Sequence, residues 1–153
     1  MAFAVILPVL IADQLTKAWA VATLDDRTID VVPTVALRLT YNSGFSFGAG
    51  SGLGPVVGVA VAVIIVFIGF RLASEHHPRR IVLMAAILGG AVGNLLDRVF
   101  RTDGGWPLTG EVVDFVDVSW YAVFNVADAV LVCAVIVFIV TEIIDQRRHT
   151  PDM

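Results

Sequence analysis

Two carboxylates frame the stretch from Val112 to Asp128, VVDFVDVSWYAVFNVAD, and their placement is the feature of this chain most able to support chemistry. Asp114 reads as part of a short loop segment, and Asp128 stands just inside the apolar run that follows, as if the chain were re-entering a membrane. A charged residue within a span costs about 2.5 to 3.5 kcal/mol on insertion scales, so it is retained for pairing or for function. Two facing carboxylates can share one proton, which leaves one as an acid and the other as a base able to activate water. Neither Asp114 nor Asp128 has an obvious basic partner, whereas the other acids inside apolar runs do. The chemistry this points to is hydrolysis by an intramembrane aspartate pair. Asp117 reads as a solvated loop acid and is the fallback for Asp114.

The elements that must position such a pair are visible in the composition. With 153 residues, 58% hydrophobic and 16% charged, the chain is too apolar for a soluble domain of this size and fits a single small polytopic membrane domain, residues 1–153. Four apolar segments approach the roughly 20 residues needed to cross a bilayer. They run approximately over residues 1–22, 55–73, 81–100 and 123–144, with outer loops over 23–54 and 101–122. The first ends in a signal-peptide-like Ala20-Val21-Ala22, but Asp13 and Lys17 interrupt its apolar core and no basic segment precedes it, so it is read as a span. The net charge of -4 and the lack of a basic stripe exclude a nucleic-acid partner. The single cysteine, Cys133, falls inside the last apolar run and cannot form an internal disulfide.

Arginines at 71, 79, 80, 147 and 148 flank the second connection and follow the last span, which places that side, with both termini, in the cytoplasm. His76, His77 and Pro78 mark a tight inner turn. The first outer loop opens with TIDVVPTVALRLTYN, a hairpin pattern around Pro33, and continues into a Gly-rich segment, Gly48 to Gly54, expected to bend or to close over a substrate. The second outer loop holds EVVDFVDV, a strand pattern. A small extracytoplasmic sheet over the mouth of a helix bundle follows.

Helix rise adds a depth to each polar residue. Counted from the cytoplasmic end, Asp13 and Lys17 lie about 18 and 24 Å up the first span, and Asn94, Asp97 and Arg98 about 20 to 26 Å up the third. Asn125 and Asp128 enter the fourth span about 3 to 8 Å below its outer boundary. All converge on the outer third of the bilayer. Asp13, Lys17, Asp97 and Arg98, two acids and two bases, are expected to neutralise one another as structural support. Gly89 and Gly93 form a small-residue step for close helix approach.

Five segments in order, DQLTK (13–17), YNSGFSFG (41–48), GGAVGNLLDR (89–98), VVDF (112–115) and FNVAD (124–128), resemble the bacterial lipoprotein signal peptidase, or signal peptidase II, family. The resemblance spans nearly the whole chain. It implies an α-helical membrane enzyme with four transmembrane helices and a small extracytoplasmic β-sheet cradle, acting without metal or cofactor. The implied substrate is a lipid-modified prolipoprotein, cleaved just before its diacylglyceryl cysteine, with membrane lipid as the other partner and the enzyme acting as a monomer. The implied catalytic residues are Asp114 and Asp128, with Asp97 a rival. Asn42, Gly44, Asn94, Arg98 and Asn125 match motif positions that orient the pair or bind substrate backbone. Two departures stand out: no basic residue precedes the first helix, and the connection from Asp114 to Asp128 is short for the family.

Rival chemistries are weaker. Gly44 to Gly48 fits the G-x-S-x-G serine elbow, but the histidines at 76, 77 and 149 are expected on the opposite membrane side from Ser46. No H-E-x-x-H or comparable metal motif occurs. A small proton-coupled transporter or channel is the main alternative, although its charges would be expected near the midplane and its halves to show an inverted repeat.

Overall fold

In lipid every backbone N–H and C=O must be satisfied within the protein, so the long apolar runs become helices. The computed structural model describes residues 1–44, 54–102 and 107–149. Its elements in chain order are α1 (Phe3–Leu24), β1 (Ile29–Val32), β2 (Val35–Asn42), α2 (Gly54–Ala73), α3 (Pro78–Phe100), β3 (Val112–Val118) and α4 (Val126–His149). All four helices are long and apolar enough to cross a membrane. Large side chains on their outer sides, Phe67, Phe70 and Ile136 among them, are exposed to what would be lipid.

Two helix starts differ from expectation, each for a local reason. α3 begins at Pro78 rather than near Ile81, because proline at the first helical position has its backbone angle preset and needs no N–H partner. The turn before it is held by Glu75, whose Oε1 accepts the backbone N–H groups of His76 and His77 at 2.9 Å each. α4 begins at Val126 rather than near Val123, because Phe124 is still bridged to Val116 of β3. Arg80 donates twice to Glu142 at 2.7 Å, and Arg79 pairs with Asp145, tying the start of α3 to the end of α4.

α3 is the central helix, packed against α1, α2 and α4. Its glycines set the spacing. A Cβ at Gly89 would lie 3.0 Å from Val9, one at Gly93 2.6 Å from Asp13 Oδ2, and one at Gly90 2.7 Å from the Ala127 carbonyl oxygen. The small-residue step therefore serves contact with α1, and Gly90 serves contact with α4.

The three strands form one antiparallel sheet in the order β1-β2-β3, with the β1–β2 hairpin turning at Pro33 and Thr34. Phe115, Ala20 and Leu24 are buried together between sheet and α1, joined by Ile29, Leu37, Leu39, Val116 and Val126. Trp19 meets Phe115 edge-on with ring centroids 6.3 Å apart. Burial of a side chain such as Phe115 contributes about 1.5 to 3 kcal/mol, so this cluster fastens the sheet to the bundle.

Candidate active site

The backbone that delivers Asp114 is registered on the end of α3. Gly110 N–H donates to the Arg98 carbonyl at 3.0 Å, and Val113 N–H donates to Asp97 Oδ2 at 3.2 Å. A Cβ at Gly110 would lie 2.6 to 2.9 Å from the carbonyl oxygens of Asp97, Arg98 and Arg101, so only glycine lets the chain pass this close. Asp114 thus sits in β3, opposite Thr40 of β2, on the strand that the EVVDFVDV pattern predicts within the outer loop. It is 2% exposed.

Asp128 is fixed by the start of its own helix. Asn125 is the N-cap of α4: its Oδ1 accepts the Asp128 N–H at 2.9 Å, and Asp128 Oδ2 accepts the Asn125 N–H at 3.3 Å. This reciprocal pair is a capping box with Asp in the place usually held by Glu or Gln. Asn125 therefore precedes the helix instead of lying within it.

One network joins the two acids. Asp114 Oδ1 accepts from Asn125 Nδ2 at 2.7 Å and its Oδ2 from Asn42 Nδ2 at 3.1 Å. Asp128 Oδ1 accepts from Asn94 Nδ2 at 2.7 Å, and Asn94 Oδ1 in turn accepts from Asn125 Nδ2 at 3.1 Å. Burial, and secondarily the charge of Asp128, push the Asp114 carboxyl from its ordinary 3.8 up to about 6, although the Asn42 and Asn125 hydrogen bonds pull the other way. Neither aspartate forms an ion pair among the described residues.

The expected support group is partly corrected. Lys17 pairs with both Asp13 and Asp97 at 2.9 Å, all three fully or almost fully buried. Arg98 does not join them; the fourth member is Arg101, whose Nε reaches Asp97 Oδ1 at 2.9 Å one helical turn further on. Arg98 points the other way, and its Nη2 donates to the Gly44 carbonyl at 2.6 Å. Gly44 N–H in turn donates to Asn42 Oδ1 at 3.0 Å, so the buried arginine holds the turn that carries Asn42. Gln14 went unnoticed in the sequence, yet it donates to Asp13 at 3.0 Å and to the Gly93 carbonyl at 3.3 Å. Its position beside Asp13 in DQLTK was the only available signal. Asp117 is paired with Arg38 at 2.9 Å and is 27% exposed, unlike the buried Asp114. Ser46 and the Gly-rich segment up to residue 53 lie outside the described residues.

Two clefts of opposite character meet the acids. A polar cavity of about 410 Å³ is lined by Arg38, Thr40, Asn42, Ser43, Asp114 and Asp117. An apolar groove of about 540 Å³ runs from Asp128 along α4, past Trp120, Phe124, Leu131, Val132 and Cys133. Tyr121, Ala122 and Val123 border both.

This arrangement of four spans and a three-stranded sheet is matched by known proteins. Residues 5–144 match the family model described as signal peptidase (SPase) II. The chain belongs to the signal peptidase II family. The lipoprotein signal peptidase of Rhodococcus jostii (strain RHA1) is 40% identical over 141 residues, covering 89% of this chain and 69% of that one. That of Syntrophomonas wolfei is 34% identical over 144 residues, covering 92% and 91%. A solved bacterial membrane enzyme, determined by the in meso method at 2.3 Å resolution, superposes with a TM-score of 0.82 at 26% identity, covering 99% of this chain and 93% of that one. As a signal peptidase II the chain is a peptidase of a bacterial membrane that it crosses several times, and nothing in fold or relatives supports the transporter alternative.

Proposed function

We propose that Asp114 and Asp128 are the catalytic pair of this signal peptidase II, acting on one peptide bond by general acid-base hydrolysis. The chain removes the signal peptide from prolipoproteins, as its family membership states. The observation that carries the assignment is the shared network: one asparagine, Asn125, donates to Asp114 and caps the helix bearing Asp128. Asp97, the rival, has both carboxylate oxygens engaged, one by Lys17 and one by Arg101.

In the proposed reaction the ionised member of the pair takes a proton from water as its oxygen bonds to the scissile carbonyl carbon. The protonated member donates to the carbonyl oxygen. Collapse of the tetrahedral intermediate breaks the C–N bond as the proton gained from water passes to the leaving amine and the other aspartate takes back a proton from a hydroxyl, leaving a carboxylic acid and the restored pair.

The finer substrate reading follows from the clefts. The peptide lies in the polar cleft beside Asp114, and an acyl chain of a diacylglyceryl cysteine lies in the apolar groove beside Asp128. Cleavage then falls just before that cysteine. The chain acts as a single membrane-embedded unit and as a monomer, since one chain supplies both acids and both clefts. The arginines at 71, 79, 80, 147 and 148 support cytoplasmic termini and an active site near the outer leaflet.

The test is cleavage of a diacylglyceryl-modified precursor by purified protein in detergent. Asp114→Asn and Asp128→Asn should each lose about 100-fold or more in rate while melting normally, whereas Asp97→Asn should mainly lose stability. An active Asp114→Asn would remove the assignment.

A further inference from the structure

Lys17 is fully buried, and the three N–H donors of its ammonium are spoken for. They go to Asp13 Oδ2, Asp97 Oδ2 and Asn94 Oδ1, each at 2.9 Å. The first two contacts account for its charge. The third does not, because a neutral amide adds nothing to the balance of Asp13, Asp97 and Arg101 with Lys17.

That third contact has a chemical consequence. An ammonium can only donate, so it requires the oxygen end of the Asn94 amide to face it. The nitrogen end must then face Asp128, where it donates at 2.7 Å. The same oxygen accepts from Asn125 Nδ2, which also donates to Asp114, while Asn125 Oδ1 takes the Asp128 N–H. A flipped Asn94 would set donors against donors at Lys17 and Asn125 and an oxygen against the Asp128 carboxylate. We infer that Lys17 is a positioning residue for the reaction: its ammonium fixes the amide polarity of Asn94, so that Asp128 receives an N–H. The inference rests on the assignment of Asp114 and Asp128 as the catalytic pair.

Removing Lys17 alone would strand two buried carboxylates, so charge balance has to be kept. The double variant Lys17→Met/Asp13→Asn leaves Asp97 paired with Arg101 and keeps an oxygen at position 13 for the Ala127 N–H, which Asp13 Oδ1 accepts at 3.1 Å. Cleavage of the lipid-modified precursor and thermal melting are measured for it, for Asp13→Asn, for Asn94→Leu and for the triple combination, with Asp128→Asn in parallel. Relative to Asp13→Asn, the double variant should melt no lower and lose about 100-fold in kcat with KM little changed. In the Asn94→Leu background the Lys17 substitution should cost no further kcat, since the two act in series. A folded double variant with the kcat of Asp13→Asn, or full additivity with Asn94→Leu, overturns the inference. If the double variant does not fold, Lys17→Arg decides: it keeps the charge but not the compact three-way ammonium, and a kcat loss of about tenfold supports positioning while wild-type kcat overturns it. An active Asp128→Asn would instead bring down the catalytic pair, a separate failure.

Discussion

Asn125 donates to Asp114 at 2.7 Å with the nitrogen of its side chain, and with the oxygen of the same amide caps α4 at Asp128. One residue therefore couples a strand acid to a helix acid, so the geometry of the pair depends on where α4 begins. Asn125→Ala should cost about 1 kcal/mol for the lost cap and about 100-fold in cleavage. Asn125→Ser separates the two effects: its hydroxyl can cap the helix but is too short to reach Asp114. Melting close to wild type with cleavage still lost would confirm this, and an active Asn125→Ser would contradict it.

The raised proton affinity of Asp114 gives stability a defined pH dependence. Folded Asp114 titrates near 6 and unfolded aspartate near 3.8, so between these values the folded state binds more protons. Stability must then fall as pH rises from about 4 through about 6, by up to about 3 kcal/mol, and level off above. Asp114→Asn lacks this term. The melting temperature of wild type minus variant should decrease across that window and be flat from pH 7 to 8; a flat difference throughout would refute the burial argument.

Gly110 is where β3 passes over the last carbonyls of α3. A methyl group there meets three backbone oxygens within 2.9 Å, none of which can move without disturbing Asp97 or Arg98. Gly110→Ala should destabilise by about 1 to 3 kcal/mol and lower cleavage by misplacing Asp114. Gly69→Ala is the comparison, because a Cβ there meets nothing within 4 Å and should leave both properties unchanged.

Cys133, the only cysteine, is exposed in the apolar groove that leads to Asp128. A long-chain alkyl methanethiosulfonate should form a mixed disulfide there and block cleavage of the lipid-modified precursor, whereas the methyl reagent should inhibit little. Cys133→Ala should be active and insensitive to both. Full activity after stoichiometric long-chain labelling would show that the acyl chain lies elsewhere.

Much of this molecule was legible before any coordinates. The four spans follow from hydropathy and length, since lipid admits only internally satisfied backbone, and the β1–β2 hairpin follows from alternation around Pro33. Asp13, Lys17, Asn94, Asp97, Asn125 and Asp128 were recognisable because polar residues at matching depth in apolar runs have few reasons to exist. What the sequence could not decide was partnership. Arg98 and Arg101 are both cations near Asp97, yet only Arg101 reaches it, because a helix brings residues i and i+4 together while Arg98 turns toward Gly44 on another segment. Likewise the nitrogen of Asn125 turns to Asp114 on β3, a contact between two elements that spacing along α4 does not fix. Spacing along a helix is local and can be counted; which amide faces which carboxylate depends on how α1, α3, β3 and the start of α4 pack together, and only the tertiary structure settles that.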